Sequence, residues 1–418
     1  MPPSRVILPT GPLRGTMSVP GSKSLTNRAL VCAALAKGES HIRNASDSTD
    51  TAMMINGLNQ FGVLARPGAG QLTVEGTGGK LYAPRYPIPV GNAGTTLRFL
   101  LSVAARAEGT TIFEASARMG QRPIADLFKA FTDLGIPFEH PDGQSRYVVH
   151  GGAFRVSGEK SSQFISSLLL AAPGTAEGIN VSLTGPLASA PYLAMTLEVM
   201  KEFGVGVIEG PGRVYRVPPS LSYHPAQYEV EPDASSATYA FGAAAVTGGR
   251  VVVPGMQRKS LQSEACLLDV LGEMGCVVEW MTDGVAVSCP GGLRGVTVDM
   301  NRAPDAVPTL VAVALFAIGP TRITNVAHLR YKESDRLDTL ADELRRLGAD
   351  IAVLDEGLVV APVPLRGAEL DAHDDHRLAM SFALIGLRVP GVTVLGPDCV
   401  NKSFPLFWEE LDRLARGR

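Results

Sequence analysis

The chain has 418 residues, 45% hydrophobic and 19% charged, with a formal net charge of −3. That length allows two domains with separate cores, and the slightly acidic balance excludes a nucleic-acid binder working by bulk charge. The longest apolar run, Leu310 to Ile318, is too short to span a bilayer, so no membrane partner is expected.

The first predicted helix lies in "VPGSKSLTNRALVCAAL", residues 19–35. It starts near Ser24 and is apolar on most sides, which reads as a buried helix. Lys23 and Arg28 stand at its start, where the free N–H groups already carry positive potential. A bound anion shared by the helix tip and both cations would remove that conflict.

Further along the chain the same unit recurs. Six apolar helical runs close on Gly38, Gly109, Gly178, Gly248, Gly319 and Gly391, at successive spacings of 71, 69, 70, 71 and 72 residues. A second, amphipathic series closes on Gly62, Gly135, Gly204, Gly275 and Gly348, and "FWEELDRLAR" is its sixth member. Hairpin-type turns such as "PGAG", "PDGQ", "TDG" and "DEG" follow in phase. Each unit reads strand, buried helix, strand, surface helix, then two strands, and six such units make two lobes of three. The Pro-containing stretch "SYHPAQYEVEP" at 222–232 is the natural crossover.

Equivalent helix starts point the same way in repeated units, so three tips per lobe are expected to converge as anion sites. They carry Lys23-Ser24 with Arg28, Asn92 to Thr95 with Arg98, Ser161-Ser162-Gln163, Asp233 to Ser236, Asp305, and Asp375-His376-Arg377. Asp233 and Ser235 read as helix caps. Loops add Arg122, Lys332, Arg336 and Lys402. Such a density of cations calls for small molecules rich in phosphate and carboxylate. Asp305 precedes an apolar helix, where desolvation would raise its pKa and suit it to proton transfer. Glu333, between Lys332 and Arg336, reads as a salt-bridge member or a general acid/base. His376 reads as an orienting residue or a cap rather than a metal ligand. The sequence contains no GxxxxGK[ST], no GxGxxG opening a strand–helix unit, no HExxH and no GxSxG. The five cysteines form no CxxC and no metal-type spacing with the seven histidines, and read as core thiols in a reducing compartment. The first ten residues lack a signal-peptide pattern, so a cytoplasmic location is expected.

The segments "GSKSLTNRAL", "GNAGTTLRFL", "RPIADL", "SSQFISSLLLAAP", "KESDRLDTL", "DDHRLAMSFAL" and "CVNKSFPLFW" closely resemble the EPSP synthase (3-phosphoshikimate 1-carboxyvinyltransferase) family, in that family's order. The resemblance implies a two-lobed inside-out α/β barrel of six βαβαββ repeats, with buried helices whose N-termini face the inter-lobe cleft. It implies an N-terminal lobe of residues 21–231 and a C-terminal lobe of 1–20 plus 232–418. The implied reaction moves the enolpyruvyl group of phosphoenolpyruvate to the 5-hydroxyl of shikimate 3-phosphate and releases phosphate, on the route to chorismate and the aromatic amino acids. No cofactor and no metal are implied, and a monomer is expected.

By position, Lys23, Ser24, Arg28, Ser161, Ser162, Gln163, Ser189, Asp305 and Lys332 would hold shikimate 3-phosphate. Lys23, Gly94, Arg122, Gln163, Arg336, Arg377 and Lys402 would hold phosphoenolpyruvate. Asp305 would take the hydroxyl proton, and Glu333, with Lys23, would exchange a proton with the methylene carbon. Gly94 and Thr95 keep the pattern of glyphosate-sensitive members. The chain departs from many members at Phe99, where Pro is usual, and at His328, where Asn is usual, leaving one sugar-side contact unassigned. The sister UDP-N-acetylglucosamine transferase typically has Lys-Asn at the first helix start and a reactive cysteine in a loop where this chain reads "SARMGQRPI". An RNA-end-processing enzyme sharing the unit is disfavoured by the acidic balance, and a non-catalytic anion-binding module by the presence of Asp305, Glu333 and Lys23.

Overall fold

A computed structural model describes residues 3–68, 70–140, 145–151, 165–182, 190–219 and 221–417. The chain folds as two compact units, one of Gly21–Val230 and one of Met1–Pro20 with Glu231–Arg418. Helices of the first unit are α1 (Lys23–Leu35), α2 (Thr49–Gln60), α3 (Gly94–Ala104), the single turn α4 (Ala117–Gly120), α5 (Ala125–Asp133), α6 (Ile165–Ala171) and α7 (Ala190–Glu202). Those of the second are α8 (Ala234–Thr247), α9 (Leu267–Glu273), α10 (Val307–Ala314), α11 (Arg336–Arg346), α12 (His376–Gly386) and α13 (Phe407–Ala415).

Helices that are apolar all round have no solvated face, so they must be enclosed. Every residue of α8, α10 and α12 is buried, and α1 is buried from Leu25 onward. Within each unit the three enclosed helices pack on one another, α1 with α3 and α6, and α8 with α10 and α12. Two-faced helices such as α11 and α13 bury only one side, through Leu337, Leu340 and Leu344 in α11 and Phe407, Leu411 and Leu414 in α13.

The sheets follow from the same unit. In the second repeat Ile88–Gly91 runs parallel to Thr110–Ala115 with α3 as the crossover, and Arg146–His150 adds antiparallel with Phe138–Glu139 at the edge. Two strands are exchanged. Arg14–Thr16, which precedes α1, pairs parallel with Arg250–Pro254 of the fourth repeat. Gln227–Glu229, which precedes α8, pairs parallel with Lys37–Arg43 of the first. Each unit thereby completes its sheet with a strand from the far side of a chain crossing. In the last repeat Ser4–Val6 lies antiparallel to Thr393–Leu395, in the position that Arg146–His150 takes beside Thr110–Ala115 in the second repeat.

All eleven closing glycines of the two series have positive φ, between +66° at Gly135 and +119° at Gly38. Side chains strain that backbone, so each turn out of a helix demands glycine and the period stays visible in the sequence.

Candidate active site

In the unit that holds residues 231–418, the start of α11 carries the centre of the cluster. Arg336, 1% exposed, donates from Nη1 to Asp305 Oδ1 (2.8 Å) and from Nη2 to Glu333 Oε2 (2.9 Å). Its Nε and Nη2 also grip the fully buried Asp375, at 2.8 and 3.1 Å. Asp375 is the N-cap of α12 and accepts from the Arg377 N–H at 3.0 Å and from Ser334 Oγ at 3.1 Å. Arg377, the second residue of that helix, donates to Asp305 Oδ2 at 2.8 Å, and Lys332 lies 3.4 Å from Asp305 Oδ1. Asp305 sits in the turn just before α10. The starts of α10, α11 and α12 therefore meet at one carboxylate. Lys402 ends a 3-10 turn at Pro397–Lys402 and acts electrostatically on Asp374.

The charge balance corrects one expectation. Burial pushes the Asp305 carboxyl up, but Arg377, Lys332 and Arg336 outweigh it and hold it well below the ordinary carboxylate range. Desolvation is the largest single influence, yet three cations within salt-bridge reach decide the sign. His328 goes down to about 4, through burial and the nearby Lys332, so it is neutral at pH 7. Its Nε2 has no hydrogen-bond partner among the described residues.

In the unit of residues 21–230, α1 begins at Lys23 with Ser22 as its cap, one residue ahead of the expected start. Lys23 Nζ donates to Asp50 Oδ2 at 2.8 Å, so an internal carboxylate already offsets its charge at the helix tip. The Asp50 carbonyl accepts from Thr96 Oγ1 of α3 at 2.9 Å, which ties the starts of α1, α2 and α3 together. Arg28 lies in the second turn, not the first. It donates to Thr196 Oγ1, Ser24 O and Tyr192 O at 2.8, 2.8 and 3.1 Å, and Thr196 in turn reaches Ser166 of α6. Burial lowers the Arg28 pKa to about 10, which leaves it charged at neutral pH. The guanidinium lies 5.3 Å from the ring centre of Phe99, so the residue that departs from the family pattern packs beneath a buried cation.

Arg122 donates to Asn92 O and Oδ1 at 3.2 and 3.3 Å. Gly94 lies directly below it: a Cβ there would come within 2.9 Å of the Arg122 and Arg98 guanidinium groups. Ser24 is half-buried in the first turn of α1. Ser161, Ser162, Gln163 and Ser189 lie outside the described residues. Of the two expected caps, Asp233 accepts from Ser236 N at 2.6 Å, whereas Ser235 lies inside α8. His376 is the first residue of α12 and 1% exposed, with Asp375 as the cap before it. All five cysteines are free thiols, but Cys266 and Cys399 are only partly buried.

Asp50 and Thr196 were missed as site residues; Asp375 was read only as part of a helix start and Phe99 only as a departure from the family pattern. "DDHR" held a signal, since an Asp two residues before an Arg at a helix start is an N-cap candidate. Nothing local marks Asp50 or Thr196, which reach Lys23 and Arg28 only through the packing of α2 and α7.

Repeated α/β units that gather cations at helix tips, with three carboxylates on one buried guanidinium, are the arrangement of an enzyme that handles small anions. The EPSP synthase (3-phosphoshikimate 1-carboxyvinyltransferase) family model matches residues 7–411. The chain is 42% identical over 409 residues to the 3-phosphoshikimate 1-carboxyvinyltransferase of Methanoculleus marisnigri, covering 96% of this chain and 97% of that one. It is 42% identical over 421 residues to the enzyme of the same name from Syntrophobacter fumaroxidans, covering 98% and 99%. A solved EPSP synthase from Acinetobacter baumannii superposes with a TM-score of 0.82 at 26% identity, over 98% of each chain. The chain belongs to the EPSP synthase family.

Proposed function

We infer that the chain transfers the carboxyvinyl group of phosphoenolpyruvate to the 5-hydroxyl of shikimate 3-phosphate, releasing phosphate, as a step of aromatic amino-acid biosynthesis. Family membership supports the reaction. The observation that carries the mechanism is Arg336, whose guanidinium touches both Asp305 and Glu333. Two proton carriers held by one fixed cation fit a reaction that needs a base on oxygen and an acid on carbon.

Glu333, aided by Lys23, gives a proton to the methylene carbon, and C2 becomes electrophilic. The 5-hydroxyl adds to C2 as Asp305 takes its proton. The tetrahedral ketal then loses a methyl proton and expels phosphate, whose departing charge is met by fixed cations. Lys23, Gly94, Arg122, Gln163, Arg336, Arg377 and Lys402 hold phosphoenolpyruvate. Lys23, Ser24, Arg28, Ser161, Ser162, Gln163, Ser189, Asp305 and Lys332 hold shikimate 3-phosphate.

The ion pairs explain how a strongly acidic Asp305 acts as a base. While Arg377, Arg336 and Lys332 face it, its carboxylate has little proton affinity. Substrate anions that draw those cations away raise that affinity when the hydroxyl arrives. The base is thus activated by the substrates it serves.

The chain acts on its two small-molecule substrates as a monomer in the cytoplasm, a reading supported by five free thiols and a core in each unit. Sedimentation should give the monomer mass, and a dimer mass would contradict it. Phosphate release from phosphoenolpyruvate should require shikimate 3-phosphate and ignore UDP-N-acetylglucosamine. Release with the nucleotide sugar instead would move the chain to the sister activity.

A further inference from the structure

Two turns beyond Arg336 on the same face of α11 stands Glu343, 6% exposed. Its Oε2 accepts from the Asp371 N–H at 2.9 Å and from Arg346 Nη1 at 3.2 Å, and its Oε1 accepts from His373 Nε2 at 3.1 Å. Asp371 Oδ1 in turn accepts from the His373 N–H at 2.7 Å. These partners of Glu343 belong to its own helix, to the end of strand Glu369–Asp371 or to the short passage from that strand to α12.

That passage is strained. His373 and Asp374 take φ of +50° and +55°, consecutive left-handed residues with no glycine among them. Such backbone costs of order 1 kcal/mol or more per residue and persists where the surroundings fix it. The next residue is Asp375, which caps α12 and grips Arg336, and two further on is Arg377, which grips Asp305. Helix α11 thus holds the start of α12 at two points, Arg336 on Asp375 and Glu343 on the strained turn.

We propose that Glu343, acting through His373 and the left-handed turn at 373–374, is a positioning residue that sets the Arg336–Asp375–Arg377 array to receive the anion of phosphoenolpyruvate. This rests on the reading of Arg336 and Arg377 as ligands of that substrate. Glu343 touches neither the substrate nor the reacting atoms. It fixes the register between two helices whose arginines must present their N–H groups to one anion. A displacement near 1 Å is enough to cost a large factor in such an arrangement.

Steady-state kinetics on the full-length enzyme test it. E343Q should raise the KM for phosphoenolpyruvate by about tenfold while the KM for shikimate 3-phosphate stays within about twofold. His373→Leu and His373→Gln impose the same backbone strain but differ in a side-chain donor for Glu343. H373L should raise the phosphoenolpyruvate KM by about fivefold and H373Q should recover most of it. If both E343Q and H373L merely lowered the thermal midpoint, or shifted both KM values alike, the positioning role would be overturned. R377K is the reference. A raised phosphoenolpyruvate KM there with none in E343Q and H373L overturns the clamp alone, and no rise in R377K overturns the subsite and the clamp with it.

Discussion

The two units hold their buried arginines in opposite ways, although Lys23 at the tip of α1 is itself paired with Asp50. Around α11 and α12 every cation faces carboxylates: Arg336 touches Asp305, Glu333 and Asp375, and Arg377 and Lys332 share Asp305. Around α1, Arg28 is held by a hydroxyl and two backbone carbonyls, all neutral, with an aromatic ring beneath. The first arrangement is self-neutralised, so a ligand must exchange partners with it. The second leaves the Arg28 charge without a carboxylate among the partners described above. In the proposed mechanism the chemistry belongs to the neutralised cluster, where partner exchange would change proton affinity, and binding to the neutral-held cation.

Removing the base should break that comparison most. D305N is expected to lower kcat by about 10²–10⁴-fold while shikimate 3-phosphate still binds in a calorimeter; near-normal turnover would sink the assignment. In the other unit, R28A should weaken shikimate 3-phosphate by about 10–100-fold, the scale of a charge-assisted hydrogen bond, with kcat at saturation much less affected. A kcat loss as large as that of D305N would erase the distinction between the units. F99L should weaken the same substrate by only about threefold, as the cation–π contact is lost. No change would mean that the ring merely fills space.

The smallest effect concerns acid stability. Asp305 has a depressed pKa when folded, so its stabilising contribution is complete above its ordinary value of 3.8 and is lost as pH falls from there toward the depressed value. The D305N midpoint of thermal unfolding should therefore converge on that of the wild type as pH drops below about 4. A constant gap down to the lowest accessible pH would contradict it.

The repeat was legible because its turns require positive φ, and glycine is the residue that supplies it cheaply; eleven such positions kept the period on view. The enclosed helices were legible because an apolar surface all round has only one home. The pairing of Arg14–Thr16 with Arg250–Pro254 and of Gln227–Glu229 with Lys37–Arg43 was not, since neither three-residue strand carries a mark of its partner. Lys23 and Arg377 were legible as charges at helix starts, whereas Arg336, read as a loop residue, is the first residue of α11 and Arg28 lies in the second turn of α1. The local pair of Arg336 with Glu333 was legible too, but the distant partners were not: Arg28 meets Thr196 across 168 residues and Arg377 meets Asp305 across 72. The Asp305 pKa was misjudged for the same reason. Desolvation could be read from the apolar helix beside it, whereas the cations that overrule it arrive from two other helix starts.

Calorimetric binding of phosphoenolpyruvate alone, to wild type and D305N, tests the partner exchange most directly. If Asp305 occupies Arg336 and Arg377 until an anion displaces it, the variant should bind phosphoenolpyruvate about tenfold or more tightly even though it turns over far more slowly. Equal or weaker binding by D305N would contradict the account.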